Sequence, residues 1–75
     1  MDFTQVKGYS DLDTNQISWL THVYAQHMDT LDDPIKYAKE NIKEIIWNNV
    51  LQTMDICFDN GEIAHYSSNG EWAYA

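Results

Sequence analysis

The sequence predicts a small α+β domain: two helices packed on one face of a three-stranded antiparallel β-meander, with residues 2–6 as a candidate fourth strand. Three observations carry that expectation. Residues 11–31 have the period of an amphipathic helix, Asp32-Asp33-Pro34 marks the start of a second, and from Val50 the period changes to two around Asn60-Gly61 and Asn69-Gly70. At 75 residues the chain makes one domain, 1–75. That is near the lower size at which a single core holds without staples.

Phe3 and Val6 alternate weakly in the first segment, as a short edge strand or an extended arm would, and Gly8 to Ser10 reads as a turn. Ile17, Leu20, Tyr24, Met28 and Leu31 recur at spacings of three and four, with Val23 and His27 on the flanks, so a helix is expected over 14–30. Asp13 with Gln16 three residues later has the form of a capping box. Asp33 before Pro34 is a helix-start signal, because proline lacks the N–H that would be unpaired there and Asp caps the free amides. A second helix follows over 34–47, with Ile35, Ala38, Ile42, Ile45 and Ile46 as its buried face and Asn48-Asn49 as its stop.

Two Asn-Gly pairs suit two-residue type I′ turns, which need positive φ at both central positions. Strands are then expected at 50–58, 62–68 and 71–75. This register pairs Phe58 with Ile63, Ile56 with His65, and Tyr66 with Ala73. Met54, Ile56, Phe58, Ile63, His65, Trp72 and Tyr74 form the core face. The free face carries Asp55, Cys57, Asp59, Glu62, Ala64, Tyr66 and Glu71.

Charge is the other organising feature. Twelve carboxylates stand against four lysines and no arginine, a net charge of -8. Three of those lysines, Lys36, Lys39 and Lys43, lie in the expected second helix. Such a surface repels nucleic acid and anionic membrane and attracts basic protein surfaces. No basic region followed by an apolar run opens the sequence, so no signal peptide is expected. The longest apolar run, Ile45-Ile46-Trp47, is too short to span a membrane. A single cysteine, Cys57, fits a reducing compartment, and the expected location is the cytoplasm.

No motif for chemistry stands out, and enzyme activity, metal and cofactor are not expected. Asp11, Asp13 and Asn15 look like the start of a calcium loop, but Gln16 and His22 occupy the positions that need Gly and Glu, so capping is the better reading. His22 and His27 are five apart and do not share a helix face, and His65 falls on the core face. Asp55 and Asp59 flank Cys57 and raise its thiol pKa rather than activate it. The isolated glycines form no phosphate loop.

The candidate partner-binding residues are therefore Asp55, Asp59, Glu62 and Glu71, with Tyr66 as the aromatic centre. Asp29, Asp32 and Asp33 are a second acidic cluster. Directly opposed Asp59 and Glu62 would disfavour the sheet, which suggests a use beyond stability, although charged edges also serve to prevent aggregation. Carboxylates on alternate residues of strands about 4.8 Å apart approach the charge density of DNA, about one charge per 1.7 Å of axis. In size, acidity and lack of arginine the chain resembles the small acidic inhibitors that phages and mobile elements direct at nucleases, restriction enzymes and CRISPR effectors. The resemblance is of general character and rests on no motif. It implies a protein that occupies a basic nucleic-acid-binding site on a larger protein, with no direct contact to nucleic acid or membrane. Two alternatives stay open. One is an accessory subunit docking through an aromatic patch of Trp19, Tyr37 and Trp47. The other is a homodimer joined through the edge strand 71–75.

Overall fold

The computed structural model describes residues 3–67 and 69–74. Among these, one helix, α1 (Thr14–Asp29), lies against an antiparallel sheet of four strands in sequence order: β1 (Ile42–Asn48), β2 (Thr53–Phe58), β3 (Ile63–Tyr66) and β4 (Trp72–Tyr74). The α+β class stands; the count of two helices and three strands does not.

α1 begins where the capping box placed it. The Asp13 carboxylate accepts from the Gln16 N–H at 2.8 Å, and the Gln16 side chain accepts from the Asp13 N–H at 2.8 Å. Its buried face is Leu20, Val23, Tyr24 and His27, so two residues expected on the flanks, Val23 and His27, sit near the centre. Ile17, Trp19 and Met28 pack at its margins.

The expected second helix is the main correction. Asp33 accepts from the Ile35 N–H at 3.3 Å and Pro34 occupies the first turn, as read, but the turn is 3-10 and stops at Tyr37. Ala38 is extended, Lys39–Asn41 forms another 3-10 turn, and Ile42–Asn48 is a strand. The strand has the composition for it, since three isoleucines and a tryptophan pack well on a pleated surface. It mimics a helix because of a β-bulge. Ile42 faces Phe58 while Glu44 faces Cys57, so Lys43 is an extra residue. The bulge puts Ile42 and Ile45, three apart, on the same buried side, where an unbroken strand would alternate. Asn48-Asn49 does not end a helix but opens the β1–β2 turn: the Asn48 side-chain oxygen accepts from the N–H groups of Val50 and Leu51 at 3.1 and 3.0 Å.

Both Asn-Gly sites are turns, but each is one residue longer than expected. Phe58 N–H donates to Glu62 O at 2.9 Å and Gly61 N–H to Phe58 O at 3.0 Å, and Gly61 has φ +89°. Asp59-Asn60-Gly61 is thus a three-residue loop closed by a glycine bulge. The second site repeats the pattern, with Gly70 N–H to Ser67 O at 3.0 Å and Ser67 N–H to Glu71 O at 2.9 Å. The pairs become Ile56 with Ala64, Asp55 with His65, and Tyr66 with Trp72. Each shift of one residue exchanges the faces of a strand. Two shifts cancel, so β2 and β4 keep the expected faces and only β3 is reversed. Ala64 and Tyr66 enter the core, while Ile63 and His65 move to the outer face.

The core joins Phe3, Val6, Leu20, Val23, Ile42, Ile45, Met54, Ile56, Phe58 and Tyr66. Each large aliphatic or aromatic side chain there contributes about 1.5–3 kcal/mol by leaving water. The N-terminal segment supplies no strand among its described residues. Phe3–Gln5 is a 3-10 turn, and Lys7 meets β1 only at a single parallel bridge to Glu44. Of the expected strands, Asp2, Ser68 and Ala75 lie outside the described residues.

Candidate functional site

The acids gathered into one expected face are distributed by the true register to several places. Asp55 remains on the outer face, where its carboxylate bonds the His65 Nδ1 at 2.7 Å and takes a hydrogen bond from Thr53 at 3.3 Å. Glu44 joins it there, across from Cys57, and pairs with Lys7 at 3.7 Å. Burial first, then Glu44 and Asp55, push the Cys57 thiol pKa up, so it is a poor nucleophile. Glu71 lies at the β3–β4 turn, the opposite end of the sheet from Asp59. Tyr66 is fully buried and is withdrawn as a surface hot spot. The three aromatics of the alternative docking patch are half-buried. Trp19 packs edge-on to Trp47 at 5.4 Å and donates its indole N–H to Ser67 O at 3.0 Å, and Tyr37 packs on Phe58.

What the fold does bring together is the other acidic group. The segment between α1 and β1 folds over the β2–β3 turn through a relay of short contacts. Asn41 donates its side-chain amide to Ile35 O at 2.7 Å and accepts at its own carbonyl from the Asp59 N–H at 2.8 Å. The Tyr37 hydroxyl donates to the Glu62 carboxylate. These contacts hold the segment that follows Asp32 and Asp33 against the turn that carries Asp59 and Glu62, and Asp29 is the last residue of α1, three before Asp32. All five are exposed, and none is in an ion pair among the described residues. Lys36 is the base at this end, lining a shallow cleft of about 410 Å³ with Asn41, Asp59 and Asn60. Lys39 is turned inward over the Phe3 ring at 4.7 Å.

Beneath the acidic end lies a group of side chains that the sequence did not reveal. His27 is fully buried. Its Nδ1 is 2.8 Å from the Tyr66 hydroxyl, its Nε2 bonds the Tyr74 hydroxyl, and the rings of Trp72 and Tyr37 stand at 5.2 and 5.8 Å. Burial lowers the His27 pKa from the usual histidine value and raises that of Tyr66. The Tyr37 pKa is raised chiefly by its bond to Glu62. Tyr24, buried and near Glu40, is pushed up to about 12 and donates to Tyr37 O at 2.6 Å. These groups are satisfied by one another, and with high phenol pKa values and a neutral imidazole they form a structural polar network.

Among the described residues, no group of three or more His, Cys, Asp and Glu side chains is placed to hold a metal ion, and no helix is long and apolar enough to cross a membrane. Asp13, in the calcium-like stretch, is engaged as the cap of α1. Comparison with protein-family models, with curated proteins and with solved structures finds no match.

Proposed function

We propose that this chain is a protein-binding module, not an enzyme. Its acidic end, formed by Asp29, Asp32, Asp33, Asp59 and Glu62, occupies a basic nucleic-acid-binding surface of a larger protein, as nucleic-acid-mimic inhibitors of restriction or CRISPR systems do. The observation that supports this reading is that the segment following Asp29, Asp32 and Asp33 is locked by hydrogen bonds to the turn carrying Asp59 and Glu62, and all five carboxylates are exposed and outside any ion pair among the described residues. Charges held in place lose little entropy on binding and steer a basic partner from a distance. Asp55 and Glu71, away from this end, are peripheral in this reading. The module carries no cofactor and acts in the cytoplasm.

The test replaces Asp29, Asp32, Asp33 and Asp59 by Asn and Glu62 by Gln. Both forms are offered to a lysate at low salt, and binding to the captured protein is then measured from about 50 to about 200 mM salt. The parent's affinity should fall steeply with salt, and the neutral form should bind weakly with a shallow salt dependence. Equal affinity of the two forms at low salt would refute the acidic-end reading.

A second reading rests on a different observation. Val50 is 89% exposed and Leu51 67% exposed at the β1–β2 turn, and Ile46 is 44% exposed on the outer face nearby. An accessory subunit docking through this apolar tip would bind independently of salt and lose affinity on Leu51→Ser. The homodimer through β4 is separated from both by measuring mass against concentration.

A further inference from the structure

His27 has a bonding arrangement that only the neutral ring can satisfy. Tyr66 is fully buried, and the hydroxyl has His27 Nδ1 as its partner among the described residues. A buried hydroxyl proton needs an acceptor, so Tyr66 donates and Nδ1 is the unprotonated nitrogen. The ring proton is then on Nε2 and is given to the Tyr74 oxygen. Tyr74 is 44% exposed and its ring lies against Tyr37 at 5.6 Å, so its own proton has the Tyr37 hydroxyl or water to go to.

Charging the ring would place a second N–H on Nδ1, pointed at the Tyr66 proton. Tyr66 would have to turn its hydroxyl proton away from Nδ1, the one partner it has among the described residues. Among the described residues, the groups that face His27 offer no counter-charge: Tyr24 beside it on α1, Tyr37 from the segment before β1, Tyr66 on β3, and Trp72 and Tyr74 on β4. Glu62, the nearest carboxylate along the network, is held one residue away by Tyr37. The aromatic faces soften a cation but accept no hydrogen bond from its ring edge. Burial acts in the same direction, lowering the His27 pKa.

The consequence falls on one strand. β4 has three residues and one described neighbour, β3. Both of its side chains on the core side, Trp72 and Tyr74, rest on His27, with ring centres at 5.2 and 5.4 Å. β1, β2 and β3 are held instead by Leu20, Val23, Ile45, Met54, Ile56 and Phe58. We propose that His27 is an acid-released latch: neutral, it ties β4 to α1 and β3, and when protonated it frees β4 while the rest of the sheet stays folded. This inference does not depend on the partner-binding reading.

The test is an NMR titration of the unaltered chain, reading the ring nitrogens of His27 and the exchange of backbone amides as pH is lowered. The ring should show the Nε2–H form at neutral pH and resist charging below the ordinary histidine value of 6.5. As it charges, protection of the Ala73 amide, which faces His65 across the β3–β4 pair, should fall by about tenfold or more while that of Ile56 in β2 is kept. In His27→Gln, which cannot charge, Ala73 protection should be constant over that range after correction for intrinsic exchange. An Nδ1–H ring, or parallel loss of Ala73 and Ile56 protection, would overturn the latch. So would an Ala73 loss in the Gln variant equal to the parent's. If that variant does not fold, the ring form and the two amides of the unaltered chain decide the question.

Discussion

Two glycines with nearly the same backbone angle should respond very differently to alanine. Gly8 has φ +95° and Gly61 has φ +89°, so both substitutions force an L side chain into a left-handed conformation at a cost of about 1–2 kcal/mol. At Gly61 nothing lies within 4 Å of the new Cβ, and the loss should stop there. At Gly8 the Cβ would stand 1.9 Å from the Ile45 carbonyl oxygen, which belongs to the backbone of β1 and cannot swing aside. The N-terminal segment must then back off the sheet edge. That movement breaks the 2.8 Å bond from the Ile45 N–H to Lys7 O, worth about 1 kcal/mol. It also loosens Val6, which is 5% exposed, forfeiting part of the roughly 1.5–3 kcal/mol of its burial. Gly8→Ala should therefore cost about 3–5 kcal/mol against about 1–2 for Gly61→Ala. A domain of this size has about 4–11 kcal/mol in all. Urea unfolding of both variants, followed by tryptophan fluorescence, gives the comparison. Equal losses would refute the packing of the N-terminal segment against β1.

Three further outcomes follow from particular contacts. Deleting Lys43, the extra residue, leaves Ile42 and Glu44 opposite Phe58 and Cys57 in an unbroken ladder, so Ile42 keeps its core side and the deletion should be tolerated; a loss of about 1.5–3 kcal/mol in urea unfolding, the cost of turning Ile42 out to water, would contradict the bulge. Glu62→Gln removes the carboxylate that chiefly raises the Tyr37 pKa, so spectrophotometric titration should show one tyrosine ionising at lower pH than in the parent. An unchanged titration would remove Glu62 as the cause. The His27 pKa is lowered in the folded state, so below 6.5 the unfolded chain binds the proton first. Stability should fall as pH drops through 6.5 and level off only below the folded value; His27→Gln should lack that component.

Much of the fold was legible because local chemistry fixed it. The capping pair Asp13 and Gln16, the apolar period of 11–31 and the alternation of Met54, Ile56 and Phe58 each have one good structural reading. The failures have specific causes. An Asn-Gly pair serves a two-residue turn or ends a three-residue one, and Asp59 can join the loop without penalty. β3 could not arbitrate, because Ile63-Ala64-His65-Tyr66 offers one apolar and one amphipathic residue to either face. That ambiguity alone moved Tyr66 from surface to core and hid its bond to His27. The bulge at Lys43 gave a strand the spacing of a helix, which placed Glu44 and the Lys36 segment wrongly. Six of the seven acids named are exposed and Asp55 is half-buried, but which of them are neighbours depended on long-range contacts such as Asn41 with Asp59. No periodicity encodes those.

If the acidic end takes the place of nucleic acid on a basic surface, the chain and DNA must compete for one partner. A labelled DNA duplex is bound to the captured partner and its anisotropy is followed as the chain is added, at about 100 mM salt. The chain should displace the DNA completely, added DNA should reverse this, and the form neutral at Asp29, Asp32, Asp33, Asp59 and Glu62 should displace none. A partner that holds its DNA undisturbed while bound to the chain would contradict it.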